Sequence, residues 1–480
     1  MQVTLKESIS NGINSNIVIL CNSLAELDKY PISLEEKCYI ENNLPSEGTK
    51  LFQFNHFEYF VFVQYYIASY DENEYRQLLR NEASKLHKIL IDNRVEEVSL
   101  CQSLSISDSD FLAYFEGLFF STYKFDKYKT HKYKALQLIS LVSETLTQTK
   151  VDEIVNLLGF IFDCKDWVNE PVANLNADKF ATILREKSLL LGIDVDIFNK
   201  ERIGELNMGG LLAVNKGSVD EPRFAILEWK PTNAKNLRPI VLVGKGITYD
   251  TGGLNIKTGT YMNDMKSDMA GAATVAATLF AVAKNQLPVH LVALIPLTDN
   301  RLCGNAYVPG DIITMYDGTT VEVTNTDAEG RIILADAIAF AKNYNPELII
   351  DVATLTGAAQ NAIGKWGIVG MQQNAKKDMD VLKEEGECVY ERIAEFPFWK
   401  EYNKWIESEV ADIRNTSTVP NAGMITAGKF LAHFSNNLPF IHLDIAGVAF
   451  YKDSESFYGA GATGFGVRLL YQFIKVKTIK

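Results

Sequence analysis

The sequence predicts an α/β protein: a mixed, largely parallel sheet sandwiched by helices in a C-terminal domain, with a smaller α/β N-terminal domain before it. Three observations carry that expectation. The chain has 480 residues, too many for one core when a domain commonly takes ~100–200. Its composition, 47% hydrophobic, 22% charged and 11% aromatic, is globular and excludes a disordered or fibrous chain. In the C-terminal two thirds, apolar runs alternate with helical stretches, the pattern of parallel strands covered by helices on both faces.

The elements follow in chain order. Within 1–150, the run Tyr59-Phe-Val-Phe-Val63 reads as a buried strand. Leu78, Leu79, Ala83, Leu86, Ile89 and Leu90 share one helical face. A second strand over 95–100 and an aromatic helix over 111–120 come next. The aromatic density across 52–70 reads as core rather than as a cofactor box. The segment 123–129, continued by His131, Lys132 and Lys134, interleaves bases with aromatics as a nucleic-acid patch can. A single short cluster in an acidic chain reads better as a loop with solvated lysines.

An apolar helix over 151–168 leads to Asn169-Glu-Pro171, so 151–170 is expected to link the first domain to a second over 171–480. There, strands are expected at 239–249, 289–297, 347–354 and 439–445, and helices at 270–284, 330–342 and 427–434. A hairpin over 312–316 and 320–324 turns through Asp317-Gly318.

Charge and cysteine usage narrow the function classes. Lys and Arg number 47 against 60 Asp and Glu, a formal charge of −13. That sign opposes a phosphate backbone or an anionic membrane. Six cysteines at 21, 38, 101, 164, 303 and 388 form no C-x-x-C pair, so reduced, mostly buried thiols and no structural zinc are expected. The first residues lack a basic stretch followed by an apolar one, so no signal peptide is expected. Apolar runs such as 289–297 fall far short of the ~20 residues of a membrane helix. A soluble cytoplasmic protein is the expectation.

Three motifs mislead. Gly459-Ala-Gly-Ala-Thr-Gly464 fits G-x-G-x-x-G but follows no strand-like run and has no acidic ribose partner after it. Gly244-Lys245-Gly246 lacks the Ser or Thr and the upstream glycine of a phosphate loop. His290, inside an apolar strand, reads as a structural histidine.

The chemistry concentrates in three segments: Lys245 to Lys257, Met265 to Ala273, and Asn325-Thr-Asp327-Ala-Glu329-Gly-Arg331. Each lies at a strand end or a helix start, the edge where open α/β sheets build sites. Asp250, Asp268, Asp327 and Glu329 would gather negative charge in a glycine-lined region, for which divalent cations are the natural counter-charge. Asp327 and Glu329 are two apart, so an extended backbone would turn both to one side. A plainer alternative pairs the nearby lysines and arginine with these acids as ordinary salt bridges. Gly252-Gly253 and Gly330, which permit close backbone approach, weigh against it.

These residues resemble the signature of the leucyl aminopeptidase (cytosol aminopeptidase) family of two-metal exopeptidases. The heptapeptide 325–331 matches that family's hallmark without interruption. Similarity continues through Asp351-Val-Ala-Thr-Leu-Thr-Gly357, His442-Leu-Asp-Ile-Ala-Gly447 and Gly461-Ala-Thr-Gly464, covering most of 165–480. The first domain is similar only loosely, chiefly over 123–129. Asn174-Leu-Asn-Ala-Asp178 departs from the family's threonine–proline phrase at the linker.

The resemblance implies a function and a set of roles. The chain would hydrolyse the N-terminal residue, leucine-like preferred, from peptides with a free N-terminus. Two divalent ions per subunit, Mn2+ or Zn2+ with Mg2+ as an alternative, would share a bridging water. The tighter ion would be held by Lys245, Asp250, Asp268 and Glu329, the more exchangeable one by Asp250, Asp327 (including its carbonyl) and Glu329. Lys245 could ligate only as a neutral amine, its pKa driven down by the dications.

Lys257 would stabilise the developing oxyanion, and Arg331 would anchor a bicarbonate acting as general base. Met265, Thr354 and Ala446 align with positions lining the side-chain pocket, although plain core packing explains Met265 nearly as well. A homo-hexamer is implied by resemblance alone. A phosphoester hydrolase, a DNA-binding regulator and a catalytically dead scaffold stay open as rivals.

Overall fold

The structure is a computed structural model that describes residues 1–8, 15–67, 71–133, 136–453 and 456–479. Lys134, part of the basic–aromatic cluster, lies outside the described residues. The chain separates into two compact units, Met1–Leu158 with Asp453–Gly459, and Gly159–Lys452 with Ala460–Lys480. The helix Gln148–Asn169 runs across the division between them.

The first unit holds a six-stranded sheet in the order Gln2–Lys6, Leu138–Val142, Glu97–Gln102, Ile17–Cys21, Phe60–Tyr66, Thr49–Asn55. All neighbours run parallel except the last pair. Ile17–Cys21 is buried at every position, as a strand covered on both faces must be. The helix Glu72–Asp92 starts at Asp71, whose carboxylate accepts from the amides of Asn73 and Glu74, the capping that satisfies otherwise orphaned donors. In the basic–aromatic segment, Lys124 lies over the Tyr133 ring and Lys132 donates to the carbonyls of Asp126 and Lys127.

The second unit is built on a nine-stranded mixed sheet. Its centre is parallel: Phe440–Asp444, Leu348–Ala353, Ile240–Gly244 and Leu291–Asn300 lie side by side, with Gly246–Asp250 continuing along Leu291–Asn300. Antiparallel neighbours flank this core, Ile368–Gln373 on one side and Arg223–Trp229 on the other. Helices sandwich the sheet. Ala270–Lys284 is buried from Ala270 to Ala283, which explains its lack of an amphipathic stripe: small side chains let it lie close on the strands. On Glu329–Ala341, Ile332 and Ile338 pack with Val241, Val243 and Ile349.

The run 239–249, expected as one strand, is two. Lys245 interrupts it, because its carbonyl accepts from the Ala272 amide at the start of a helix rather than from a sheet neighbour. The expected hairpin forms from Ile312–Thr314 and Thr320–Glu322. A distant strand, Ile413–Arg414, joins it in parallel, which local sequence does not announce. His290 is buried with Nε2 2.6 Å from Glu228.

None of the six cysteines forms a disulfide among the described residues. Only Cys21, Cys101 and Cys164 are buried, which corrects the expectation of mostly buried thiols. Among the described residues, no helix is long and apolar enough to cross a membrane.

Leu294, wholly buried in the central strand, packs into the core of the second unit. Leu294→Ala is expected to cost about 2–5 kcal/mol, read as a lowered urea midpoint by tryptophan fluorescence.

Candidate metal centre

Five parallel strands present their carboxyl ends to one region of the second unit. Lys245 follows Ile240–Gly244, Asp250 ends Gly246–Asp250, Asn300 ends Leu291–Asn300, Thr354 follows Leu348–Ala353, and Asp444 ends Phe440–Asp444. Such a sheet edge is where open α/β folds collect ligand-binding groups. Two short 3-10 turns bring in the rest. Asp268 lies in Met265–Met269, just before the helix Ala270–Lys284, and Asp327 lies in Thr326–Ala328. Glu329 opens the helix Glu329–Ala341, where the helix dipole favours a negative charge.

One oxygen each of Asp250, Asp327 and Glu329 lies within 4.8 Å of the others, a group able to hold a metal ion. The backbone carrying Asp327 and Glu329 is not extended, as the two-residue spacing suggested. A 3-10 turn followed by a helix start brings the two carboxylates together. Asp250 is aimed by a bulge: Ile247 pairs with Thr298 and Asp250 with Asn300, so one extra residue sits on the shorter strand and turns the side chain.

Both lysines sit among the acids. Lys245 Nζ is 2.7 Å from Asp268 Oδ1, 3.1 Å from Glu329 and 2.9 Å from the Thr354 carbonyl. Lys257 Nζ bridges Asp250 at 2.7 Å and Asp327 at 2.5 Å. Gly330 makes the first arrangement possible, because a Cβ there would stand 2.3 Å from Lys245 Cε. Gly252, at φ 86°, has its amide on Asp250 Oδ1 at 2.8 Å, and a Cβ would crowd the Asn255 carbonyl at 2.5 Å.

Four carboxylates face two ammonium groups, so the cluster keeps an excess of negative charge. Burial, with Glu329 and Asp250 adding to it, pushes the Asp268 carboxyl well above the usual range despite Lys245. Burial, Asp250 and Glu329 push Asp327 up to about 7. Burial opposes the charge on Lys245, yet Asp268, Glu329 and Asp250 outweigh it and hold the ammonium above its ordinary value. Lys257 is raised in the same way, chiefly by Asp250. With the acids alone Lys245 is therefore an ammonium, and dications would reverse the local field. Asp268 Oδ2 is buried without a hydrogen-bond partner among the described residues. An oxygen-rich set with excess negative charge and an orphaned buried carboxylate oxygen fits hard or borderline divalent cations.

Arg331 is buried, and burial pulls its guanidinium down to about 10. Its Nη1 donates to the Asn415 carbonyl at 2.8 Å, while its Nε has no partner among the described residues. Met265, half-buried, sits on the turn that carries Asp268. The Thr354 hydroxyl donates to Asp268 Oδ1 at 2.8 Å. Ala446 lies in the loop after Phe440–Asp444, its amide on Asp444 Oδ1, which also accepts from Leu355.

Sequence reasoning missed Asn300, Asp444 and Asn415. Asn300 is wholly buried, and its Nδ2 donates to Asp250 at 2.8 Å, to the Thr326 carbonyl at 3.0 Å and to Glu329 at 3.4 Å. It thus orients two carboxylates at once. Its signal was positional only: it ends the strand whose register faces Asp250.

Two variants test this geometry. Asn300→Ala is expected to weaken divalent-ion binding by about 10–100-fold, measured by Mn2+ titration calorimetry on metal-depleted protein. Gly330→Ala is expected to displace the Lys245 side chain and to weaken divalent-ion binding in the same titration, since the new methyl would overlap Cε.

Residues 163–471 match the cytosol aminopeptidase family, catalytic domain. A "probable cytosol aminopeptidase" of Chlorobaculum tepidum is 48% identical over 313 residues, 65% of this chain and 61% of that protein. The match therefore spans about three-fifths of that relative's length. A protein of the same description from Clostridium tetani is 37% identical over 410 residues, 84% of each chain. Among solved structures, the bottromycin maturation enzyme BotP in complex with Mn superposes with a TM-score of 0.84 at 26% identity, covering 97% of this chain and 99% of that one. With well over half its length matched, this chain belongs to the cytosol aminopeptidase family.

Proposed function

We propose that this chain is a metal-dependent aminopeptidase that releases the N-terminal residue, leucine-like preferred, from peptides. The observation that carries this reading is the convergence of Asp250, Asp327 and Glu329 within 4.8 Å, beside Lys245 and Asp268, in a chain of this family. One ion would be held by Lys245, Asp250, Asp268 and Glu329. A second, more exchangeable ion would take Asp250, Asp327 and Glu329. Mn2+ or Zn2+ suits these donors, with Mg2+ as an alternative, and the complex of BotP with Mn supports the first. Bound there, such ions would supply Lewis-acid polarisation of the substrate carbonyl and a water of lowered pKa.

The chain's own residues do the remaining work. Asp250 and Glu329 are oriented by Asn300 and Asp268 by Thr354, so the donor set is preorganised before any ligand arrives. Lys257, 15% exposed at its side chain, reaches both Asp250 and Asp327. From that edge its ammonium can stabilise negative charge as it develops on the carbonyl oxygen. Arg331, with one nitrogen unpartnered among the described residues, would hold a bicarbonate, which would supply a general base there.

Met265, Thr354 and Ala446 are assigned to the side-chain pocket. We assign the chemistry to 171–480, with 151–170 as the link and 1–150 serving assembly or access. A cytoplasmic homo-hexamer is the assembly inferred.

Exhaustive chelation is expected to abolish leucine release from leucyl-p-nitroanilide, with Mn2+ or Zn2+ restoring it. Activity that survives chelation refutes the proposal, and turnover of p-nitrophenyl phosphate in its place favours a phosphoester hydrolase. Lys257→Ala and Arg331→Ala should each lower kcat by about 100-fold or more with metal content intact.

A further inference from the structure

Asn415 lies 84 residues beyond Arg331 in sequence, yet it holds the segment from which Asp327, Glu329 and Arg331 spring. It follows the short strand Ile413–Arg414, and its amide donates to the Glu322 carbonyl at 3.0 Å. Its side chain is wholly buried and uses both ends. Oδ1 accepts from the Thr324 amide at 2.8 Å, the Thr324 hydroxyl at 3.0 Å and the Asn325 amide at 3.3 Å, while Nδ2 donates to the Asn325 carbonyl at 2.7 Å. Asn325 in turn accepts the Asp327 amide on its own Oδ1 at 2.8 Å. The Asn415 carbonyl accepts a hydrogen bond from the Arg331 guanidinium at 2.8 Å.

We propose that Asn415 is a positioning residue for the metal centre: its amide locks 324–327 so that Asp327 faces Asp250 and Glu329, and its carbonyl fixes the guanidinium of Arg331. Only a primary amide both accepts from two backbone N–H groups and donates to a carbonyl at this position. An aspartate would set an oxygen against the Asn325 carbonyl, and the buried repulsion would open the turn. Lys245 and Asp268 depend on other elements, namely the strand end at Gly244, the turn Met265–Met269 and Thr354. Losing Asn415 therefore harms most the ion that uses Asp327; the ion held by Lys245 and Asp268 shares only Asp250 and Glu329 with it, and these are oriented by Asn300, Glu329 also by its helix start. This consequence for metal rests on the function proposed above; the clamp on the backbone does not.

The test uses the full chain carrying Asn415→Asp, with Asn415→Ser alongside should the first fail to fold. In metal-free protein, hydrogen exchange is expected to quicken over 322–331 and stay unchanged over 240–300; unchanged exchange over 322–331 overturns the clamp. In Mn2+ titration calorimetry, the weaker of two binding steps should fall by about 10–100-fold while the tighter stays within about twofold. Equal loss in both steps, or in neither, overturns the positioning role. In kinetics, kcat should drop about 10–100-fold with KM within about threefold, and a change confined to KM counts against it. If the unaltered chain takes up no metal, the proposed function falls, and the exchange data alone decide the clamp.

Discussion

Four carboxylates gathered at one sheet edge, with Asp250, Asp268 and Glu329 buried and Asp327 at the open side, are the constraint around which the second unit is organised. Burying unpaired negative charge is costly, so every nearby element offers something that lowers the cost. Lys245 and Lys257 each lie between two acids. Asn300 and Thr354 donate to carboxylate oxygens, and the Gly252 amide does the same for Asp250. The compensation stops short of complete, since Asp268 retains a buried oxygen unpartnered among the described residues and Asp327 stays raised to about 7. A site tuned only for the stability of the fold would have used apolar residues there.

Backbone irregularity is the means by which a regular sheet reaches this arrangement. The strand broken at Lys245 sends one residue's carbonyl to a helix N-terminus while its side chain turns to the acids. The bulge before Asp250 re-aims a carboxylate that strict alternation would have pointed elsewhere. Gly330 leaves room for the lysine stem. Each departure sits where strand or helix meets loop, so the packed core represented by Leu294 and Val243 is undisturbed.

The two parts of the centre are supported by different elements. Lys245 lies between two central strands, and Asp268 lies in the turn before the alanine-rich helix. Asp327 and Arg331 belong to a segment fastened to the three-stranded sheet through Asn415. This is a physical basis for the unequal affinity proposed for the two ions, because the second support is small and depends on one buried amide.

How far the sequence reaches is clear from particular residues. Strand–helix alternation and apolar runs determined the α/β class and the central strands, because burial on both faces leaves an unbroken local signal. The heptapeptide 325–331 and the flanking acids and lysines were equally plain, being contiguous and chemically unusual. What tertiary structure alone decided is everything carried by contacts between distant segments. Asn300 and Asn415 look like ordinary asparagines until a register and a parallel pairing bring them to Asp250 and to the 324–331 segment. The joint orientation of Asp327 and Glu329 arose from a turn and a helix start rather than from extended spacing. Local patterns record which face of an element is apolar; they do not record which far-off carbonyl or carboxylate a buried amide will meet.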